Sequence, residues 1–362
     1  MKKIILVIAA IVPFLKAMAQ TQSVPVFVSG TEGHKSYRIP AITALPNGEL
    51  LAFCEGRVNG SGDFGDINIV MKRSRDNGKT WSALQYVAEF DTLQAGNPAP
   101  VVDLTDPLYP RGRLFLFYNT GNDHEGEVRK GIGYKQVWYK TSSNAGHTWS
   151  DPQVNPAYNF SEDWRTYANT PGHAMQFQSG KYRGRIIIAA NHSAGPPQNH
   201  STDYDAHGFY SDDHGKTFRL GASIRVPGSN ESMAVELGDG RLMMNSRNQK
   251  GDIKARIVSI SNDGGTSWDT SYFDKNLPDP VCQGSIVGIG RKKSKAILAF
   301  CNAADTSRRN NLMLRISFDD GKTWDKHYLI YKRDEPGDNA AYSDIIPISN
   351  TDVGILYEKD NY

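Results

Sequence analysis

The sequence predicts an all-β repeat protein of the β-propeller type, and three observations lead to this prediction. Short apolar or alternating runs such as RLFLFYNT and KAILAFC are separated by turn signals such as PNGEL and GDGRL. No long amphipathic helix pattern is present. One phrase, S-x-D-x-G-x-T-W or a close variant, occurs five times, at intervals of 68, 69, 50 and 56 residues. Periods of this length, each holding several short strands, favour a propeller. The five copies begin at Ser74, Ser142, Ser211, Ser261 and Ser317.

The repeated phrase predicts a hairpin turn. Each copy follows an apolar strand and leads into another. The Asp or Asn at its third position can accept hydrogen bonds from backbone amides, the Gly adopts positive φ, and the terminal aromatic packs beneath the turn. A calcium loop would need alternating acidic ligands and a distal Glu, which the phrase lacks. We therefore expect five turns with a structural role.

The N-terminal segment predicts a secretory signal peptide. The basic MKK, the apolar IILVIAAIVPFLKA and the small residues of AMAQ follow one another in the usual order. Pro13 and Lys16 interrupt the apolar run short of the ~20 residues that a membrane span needs. We predict a signal peptide over 1–19, cleavage after Ala19, a propeller domain over 20–362, and a periplasmic or secreted protein.

The end of the chain raises the question of how a propeller would close. Only four residues follow Glu358. We expect the closing strand either from the N-terminal segment VPVFVSG or from residues beyond a truncated C-terminus.

Charge and cysteine content exclude several classes of function. The chain has 41 Lys and Arg against 39 Asp and Glu; without the three lysines of residues 1–19 the balance is 38 to 39. Such a balance provides no basic footprint for nucleic acid or an anionic membrane. Cys54, Cys282 and Cys301 are too few for a disulfide framework and lack metal-site spacing. Cys282 and Cys301 flank a predicted hairpin and could face each other; the unbridged state is favoured, but a bridge stays open.

Here the sequence resembles a known family. The repeated phrase resembles the Asp-box of the sialidase (neuraminidase) family, and YRIP, Tyr37 to Pro40, resembles its N-terminal Arg-Ile-Pro motif. The likeness extends from about residue 25 to the end. It implies a six-bladed β-propeller of four-stranded antiparallel blades with Asp-box hairpin turns, one blade lacking a clear box. It also implies an exo-α-sialidase of the bacterial type that releases terminal sialic acids from glycans with retention and needs no cofactor.

The substrate of such an enzyme explains why arginines matter. Sialic acid carries a carboxylate on its anomeric carbon, and Arg binds carboxylates as a permanently charged, bidentate donor. The resemblance implies a triad of Arg38 in YRIP, Arg247 in LMMNSR and Arg309 in SRRNNL, with Arg308 as the alternative to Arg309.

The nucleophile follows from the same electrostatics. An attacking carboxylate would meet the carboxylate of the substrate, at a cost of about 4 kcal/mol for a separation of ~4 Å at an effective dielectric near 20. Sialidases use a Tyr instead. By resemblance, AAYSDI places this role on Tyr342, and NESMAVEL places its base on Glu231, with Glu236 the weaker choice. The arginines are expected to lower the pKa of the phenol.

The remaining assignments also rest on the resemblance. In EGRVNGSGDFGD, Asp63 is the expected acid/base and Arg57 lines the pocket, while Asp66 is more simply a turn residue. Gln283 in PVCQGS is expected to contact substrate hydroxyls, and Glu358 to orient Arg38. No metal is implied. A set of His and Asp residues in one segment fits no zinc spacing and is interpreted as a polar loop; its members are His192, His200, His207, Asp203 and Asp205.

Two other functions compete with hydrolysis. A trans-sialidase on the same propeller would differ in acceptor residues that the sequence does not identify. A non-catalytic propeller that binds sialoglycans is expected to have lost part of the catalytic set. The joint presence of Tyr342, Glu231 and Asp63 with three arginines favours the enzyme, whose partners would be sialylated glycoproteins, glycolipids and oligosaccharides.

Overall fold

The computed structural model describes residues 3–10, 21–155, 163–349 and 352–360, and only the backbone of 3–10, 21 and 22. Regular structure in this part of the chain is almost entirely β, as predicted. It includes a short helix, α1 (Glu125–Arg129), and a 3-10 turn at Asn199–Ser201. Within the described ranges, no helix combines the length and apolar character that a membrane crossing requires.

The strands are, in chain order, β1 (Lys3–Ala10), β2 (Thr21–Val28), β3 (Ser36–Ala44), β4 (Leu50–Arg57), β5 (Ile67–Ser74), β6 (Gln85–Ala88), β7 (Gln94–Asp103), β8 (Arg113–Gly121), β9 (Lys135–Ser142), β10 (Gln153–Val154), β11 (Trp164–Asn169), β12 (Met175–Gln176), β13 (Ile186–Ala194), β14 (Tyr204–Ser211), β15 (Arg219–Leu220), β16 (Ser229–Glu236), β17 (Leu242–Asn248), β18 (Ala255–Ser261), β19 (Thr270–Pro278), β20 (Gly284–Lys292), β21 (Lys295–Ala303), β22 (Leu312–Ser317), β23 (Lys326–Tyr331), β24 (Ala340–Pro347) and β25 (Asp352–Lys359).

These strands form five hydrogen-bonded sheets. The orders are β2-β1-β25-β24, β3-β4-β5-β7-β8-β9-β10 with β6 beside β5, β11-β13-β14-β15 with β12 beside β13, β16-β17-β18-β19, and β20-β21-β22-β23. The second sheet consists of two antiparallel halves, β3 to β6 and β7 to β10, that are joined by the single parallel pair Ile67 and Gln94. Neighbouring strands are otherwise antiparallel hairpins, which short turns can connect.

One strand or two from each successive group, which we call the inner strands, contact the next group; they are β3, β7, β12, β13, β16, β20 and β24. β3 contacts β7, β7 contacts β12, β13 contacts β16, β16 contacts β20, β20 contacts β24, and β24 contacts β3. Buried apolar clusters fill the spaces between successive groups of strands. One of them joins Phe117 and Val137 to Ile188 and Phe209, for example. A strand with a neighbour on each face has no solvent side, which explains why β4, LLAFCEGR, is buried at all eight positions.

The N-terminal segments join the sheet of the last strands. β2, which contains most of VPVFVSG, pairs with β1, and β1 pairs with β25 along its whole length. The predicted closing strand therefore reaches this sheet, with residues of the predicted signal peptide between it and β25. Cleavage after Ala19 stays a prediction.

The five repeated phrases form the predicted turns, which we call the Asp-box turns. In each, the Gly N–H donates to the Oγ of the first Ser at 2.8–2.9 Å. The seventh residue's N–H donates to the Asp or Asn Oδ1 at 2.8–3.0 Å. The residue before the Gly also has positive φ, as at Asn77 and Asp320. The terminal aromatic is buried in two copies and half-buried in three. The structural interpretation is confirmed.

The three cysteines are free and buried. Cys301 lies opposite Ser285 across the β20–β21 ladder. Cys282 precedes β20, where its N–H donates to Asp279 Oδ1 at 2.8 Å, and it packs against Tyr342 instead. The two thiols therefore do not face each other across the hairpin, and the favoured unbridged state is the one present.

Candidate active site

Seven of the nine predicted site residues meet at the end of the inner strands opposite the Asp-box turns. They line a cavity of about 270 Å³ and are Arg38, Arg57, Asp63, Glu231, Arg247, Arg309 and Tyr342. β5 begins beside Asp63 and ends in the first Asp-box turn. Its eight residues therefore place the two ends about 23 Å apart at ~3.3 Å per residue.

Bulges in the inner strands present several of these side chains. The pairing register shifts between Arg38 and Ala41 in β3, between Ser229 and Ser232 in β16, and between Ala340 and Ser343 in β24. Bulges re-aim side chains at strand ends and are common beside active sites. In YRIP, Ile39 takes φ of 58°, an unusual value for a β-branched residue.

Tyr342 and Glu231 form a hydrogen-bonded pair. Tyr342 Oη donates to Glu231 Oε1 at 2.6 Å. Arg247 Nη1 donates to both partners, at 2.6 Å to Glu231 Oε2 and 3.0 Å to Tyr342 Oη. Arg247 Nε is buried and has no hydrogen-bond partner in the described part of the chain. The geometry is that of a nucleophile beside its base.

Arginines lie close to the ring of Tyr342. The guanidinium carbons of Arg38 and Arg309 lie 5.3 and 5.6 Å from the centroid of its ring. Burial raises the pKa of Tyr342 well above its ordinary value, and the Glu231 carboxylate raises it further. Arg247 and Arg309 lower this pKa, as the sequence predicted, but they do not outweigh burial and Glu231.

Glu358 orients Arg38, as expected. Its carboxylate accepts from Arg38 Nε at 3.2 Å and Nη2 at 3.4 Å. It also accepts from the backbone N–H groups of Ile39 at 2.8 Å and Tyr342 at 3.2 Å. The side chain of Glu358 is fully buried. One carboxylate thus fixes both the first arginine and the strand that carries the tyrosine.

Of the two adjacent arginines, Arg309 is the one at the cavity. It lines the cavity and lies over Tyr342, with Asp338 4.0 Å from its Nε. Arg308 points to the exposed loop, where its Nη1 donates to the carbonyl of Glu335 at 3.3 Å. The position of the two side chains therefore favours Arg309 over the alternative that the sequence left open.

Asp63 lies between two arginines. Its Oδ1 accepts from Arg57 Nη1 at 2.8 Å and Arg38 Nη1 at 3.1 Å. Partial loss of solvent would raise the pKa of this carboxyl group, but the Arg57 and Arg38 guanidinium groups lower it below its usual range. The side chain is 70% exposed.

Three further assignments are decided by position. Gln283 is 1% exposed, and its amide exchanges two 3.0 Å hydrogen bonds with the backbone of Ser343. The expectation that it contacts substrate was wrong, because it instead supports β24 from behind. Glu236 binds Gln178 N and Ser179 at the far end of β16 and cannot serve as the base. Asp66 accepts from Asn68, as a turn residue would.

The segment predicted as a polar loop is a loop in its middle and strand at its two ends. Residues 195–203, which include His200, form a mostly exposed loop with a 3-10 turn. His192 lies in β13 and His207 in β14, with their Nδ1 atoms 3.0 Å apart, and Trp164 stacks on His192 at 3.6 Å. The interpretation as a polar loop therefore holds for the middle of the segment and was wrong for its ends, which pack against buried aromatic side chains.

One wall of the cavity was not predicted. It is built by α1 and its neighbours, where Glu125 accepts from Lys135 Nζ at 2.5 Å and from Tyr204 Oη. Burial would raise the pKa of Glu125, but Lys135 lowers it below its usual range. Asn97, with φ of 53°, lies on a similar bulge in β7. A helix of five residues leaves no periodicity to read, so the sequence offered no signal for this wall.

Known proteins share these features. A family model described as BNR repeat-like domain matches residues 48–355, which places the chain in that class of repeat protein. The Sialidase of Micromonospora viridifaciens is 33% identical over 349 residues, covering 91% of this chain and 51% of the relative. The Exo-alpha-sialidase of Aspergillus fumigatus is 31% identical, covering 91% of this chain and 80% of the relative. The chain belongs to the sialidase family.

A solved structure gives the same indication at the level of the fold. The Hadza microbial sialidase Hz136 superposes with a TM-score of 0.79 at 26% identity, covering 91% of this chain and 65% of that one. The chain spans about half the length of the Micromonospora relative and about two thirds of Hz136.

Proposed function

We infer that the protein is an exo-α-sialidase that hydrolyses terminal sialic acids of glycoconjugates with retention, through a covalent bond to Tyr342. The observation that carries this proposal is the 2.6 Å hydrogen bond from Tyr342 Oη to Glu231 beneath three arginines. Named sialidases that are 30–33% identical to this chain support the activity.

The arginines account for substrate choice. Arg38, Arg247 and Arg309 all line the cavity, and together they favour a ligand with a carboxylate beside its reacting carbon. Glu358 and Glu231 hold two of them in place through ion pairs.

The chemistry divides between three side chains. Glu231 takes the phenolic proton as Tyr342 Oη forms a bond to the anomeric carbon. Asp63, once protonated, gives its proton to the glycosidic oxygen as that bond breaks. Water then attacks the same carbon, its proton passes to Asp63, and the Tyr342–carbon bond breaks with the proton returned from Glu231. Two displacements at one carbon give net retention.

We also propose that the fold is a six-bladed propeller with four-stranded blades. The closed order of inner-strand contacts supports this reading, as does the division of the second sheet into two halves. Five blades would carry an Asp-box turn, and the blade of β24 and β25 would not.

The test is hydrolysis of a fluorogenic aryl sialoside by the wild-type protein and by Tyr342→Phe. We expect turnover by the wild type and a loss of roughly 10³-fold or more in the variant, the range seen when a nucleophile is removed. Unchanged turnover in Tyr342→Phe would refute the role of this residue. Binding of sialic acid without turnover by the wild type would leave a lectin-like propeller, and transfer to a sugar acceptor in place of water would indicate a trans-sialidase.

Export is a separate proposal. We propose that residues 1–19 direct the chain across a membrane and are removed after Ala19. Removal would also take β1 from between β25 and β2. The intact mass of protein recovered outside the cytoplasm tests this: a mass that still includes residues 1–19 contradicts it.

A further inference from the structure

A short segment before β12, residues 170–174, connects the strand of the proposed base to the strand of the proposed nucleophile. Thr170 Oγ1 donates to the carbonyl of Ser232, the residue after the base, at 2.5 Å. Gly172 lies so close to the next residue of β16, Met233, that a Cβ at Gly172 would meet its Sδ at 2.6 Å. One end of the segment is thus fixed to β16.

The other end of the segment is fixed to β24 through His173. Its Nδ1 donates to Asp344 Oδ1 at 2.7 Å, and its backbone N–H donates to Asp344 Oδ2 at 2.9 Å. Asp344 is fully buried and follows Tyr342 by two positions in β24. Its Oδ2 also accepts from Ile42 N of β3 at 2.8 Å. Among the described residues, His173 is the one side chain that donates to this carboxylate.

This contact joins opposite sides of the ring of inner strands. β12 pairs with β13, and from there the strand contacts lead to β24 either through β16 and β20 or through β7 and β3. Tyr342 and Glu231 likewise come from strands that are not neighbours, β24 and β16. A buried contact between His173 and Asp344 therefore fixes the separation of strands that share no ladder of hydrogen bonds.

His173 does not line the catalytic cavity. It lines a second cavity of about 350 Å³, together with Glu236 and Arg291. Glu236 is the last residue of β16, at the end remote from Glu231, and the Arg291 side chain is 44% exposed. The second cavity therefore opens at the end of the strands that carries the Asp-box turns. An effect of His173 on catalysis has to pass through Asp344.

We propose that His173 is a positioning residue for the Tyr342–Glu231 pair, because its contact with Asp344 holds β24 at a fixed distance from β16. This inference rests on the proposed sialidase function. Tyr342 Oη has to stay within hydrogen-bond reach of Glu231 and also approach the anomeric carbon. A misplacement of ~1 Å by a residue far from the chemistry can cost about 10²-fold in rate. Substrate binding depends less on this contact, since the cavity arginines have ion pairs of their own.

The experiment uses the second cavity for chemical rescue. His173→Ala removes the donor and leaves a space continuous with that cavity, into which free imidazole fits. His173→Asn is the conservative variant, because it places an amide N–H near the position of Nδ1. His147→Ala, at an exposed position of an Asp-box turn, is the matched control. For each protein, kcat for the aryl sialoside and the inhibition constant of N-acetylneuraminic acid are measured with and without imidazole.

We expect His173→Ala to lower kcat by about 10–100-fold, with the inhibition constant nearly unchanged. Imidazole should restore part of the lost kcat in this variant and leave the wild type and His147→Ala as they were. His173→Asn should keep most of the activity. Loss of stability alone would not produce this pattern, because kcat is measured well below the melting temperature of each variant.

Three results would overturn the proposal. Normal kcat in folded His173→Ala would leave this residue with a role in stability alone. Equal losses of kcat in His173→Ala and His173→Asn would show that the donor to Asp344 is not what matters. A rise in the inhibition constant that matches the loss of kcat/KM would place the effect on substrate binding.

A His173→Ala protein that fails to fold does not end the test. Thr170→Val removes the hydroxyl that donates to the carbonyl of Ser232, at the other end of the same segment, and keeps the shape of the side chain. We expect a lower kcat with the inhibition constant unchanged; normal kcat in this variant would overturn the proposal. Failure of the proposed function looks different, since the wild type would then not hydrolyse the aryl sialoside.

Discussion

The two ends of the strands are held together in different ways, although the same strands supply both. At the Asp-box turns, polar contacts join residues two to four positions apart, as between Gly321 N and Ser317 Oγ at 2.8 Å. At the cavity, Arg38 and Glu358 are separated by 320 positions and Tyr342 and Glu231 by 111. The first kind of contact forms within one hairpin, whereas the second requires all the sheets to be packed.

This difference explains why one end repeats and the other does not. A turn that satisfies its own backbone groups serves any hairpin, so the same eight residues recur five times. A cavity residue has one partner in one place. Substitutions in the turns should therefore change stability and spare turnover, while substitutions in the cavity should do the reverse.

Removal of the base tests the cavity end most strongly. Glu231→Gln can still accept the hydrogen bond of Tyr342 but cannot take its proton. We expect kcat to fall by about 10²–10⁴-fold, the range for a general base. The melting temperature should also fall, because Arg247 loses its counter-ion, but by less than in a variant of the fully buried Glu358, since the Glu231 side chain is 14% exposed. Steady-state kinetics and thermal unfolding measure the two effects. A variant of normal activity would show that the proton leaves by another route.

Glu358→Gln breaks the division between the two ends, because Glu358 serves both fold and site. The change leaves Arg38 without its buried counter-ion, and we expect the free energy of unfolding to drop by up to roughly 3–5 kcal/mol. KM for the aryl sialoside should rise as well. Urea denaturation measures the free energy of unfolding, and Glu335→Gln, at an exposed position, is the control. If Glu358→Gln is as stable as the wild type but has a raised KM, Glu358 acts in the site and does not stabilise the fold.

A substitution in one Asp-box turn tests the other end of the strands. In Ser317→Ala the buried N–H of Gly321 loses its acceptor, so we expect the protein to be less stable by about 1–3 kcal/mol. kcat/KM should equal that of the wild type, since the turn lies far from the cavity. Urea denaturation and aryl sialoside hydrolysis on one preparation give both values. Reduced kcat/KM in the folded variant would mean that the ends are coupled.

The smallest expected effect is a pH dependence of the free energy of unfolding. It comes from ionisable groups in the interior, between the two ends of the strands. Burial lowers the pKa of His192 to about 4 and that of His207 well below its usual range. The unfolded chain gains protons on both below pH 6.5 and the folded protein does not, so stability falls as pH drops from 6.5 to 4. Asp205 acts oppositely, because burial raises its pKa to about 6 and its contribution weakens stability as pH rises from about 4 to 6.

The variant His192→Gln isolates one of these groups. Between pH 7 and 4.5 we expect its unfolding free energy to change by about 2 kcal/mol less than that of the wild type, at about 1.4 kcal/mol per pKa unit. Denaturant titrations at the two pH values measure this. Equal pH dependence in both proteins would mean that His192 is protonated in the fold.

The features that the sequence predicted and those that it missed differ in the same way, in whether their contacts are local or distant. The strands and the Asp-box turns were predictable because a turn such as Ser317 to Trp324 contains its own hydrogen-bond partners. Tyr342, Glu231 and Asp63 were found through resemblance, since no local pattern distinguishes Tyr342 from the other tyrosines. Gln283 was misplaced because its partner, the backbone of Ser343, is 60 positions away. The wall around Glu125 was missed because its contacts, to Tyr204 for instance, exist only in the folded chain.

The position of Glu358 makes the geometry of the cavity depend on β25. This carboxylate comes from β25 and holds β24 and the arginine of β3, near the other end of the chain. A cut in the chain before Glu358 would remove the group that points Arg38 at the cavity and the acceptor that holds Tyr342 N. Because one carboxylate serves both strands, such a cut would weaken the fold and disorder the cavity in the same step.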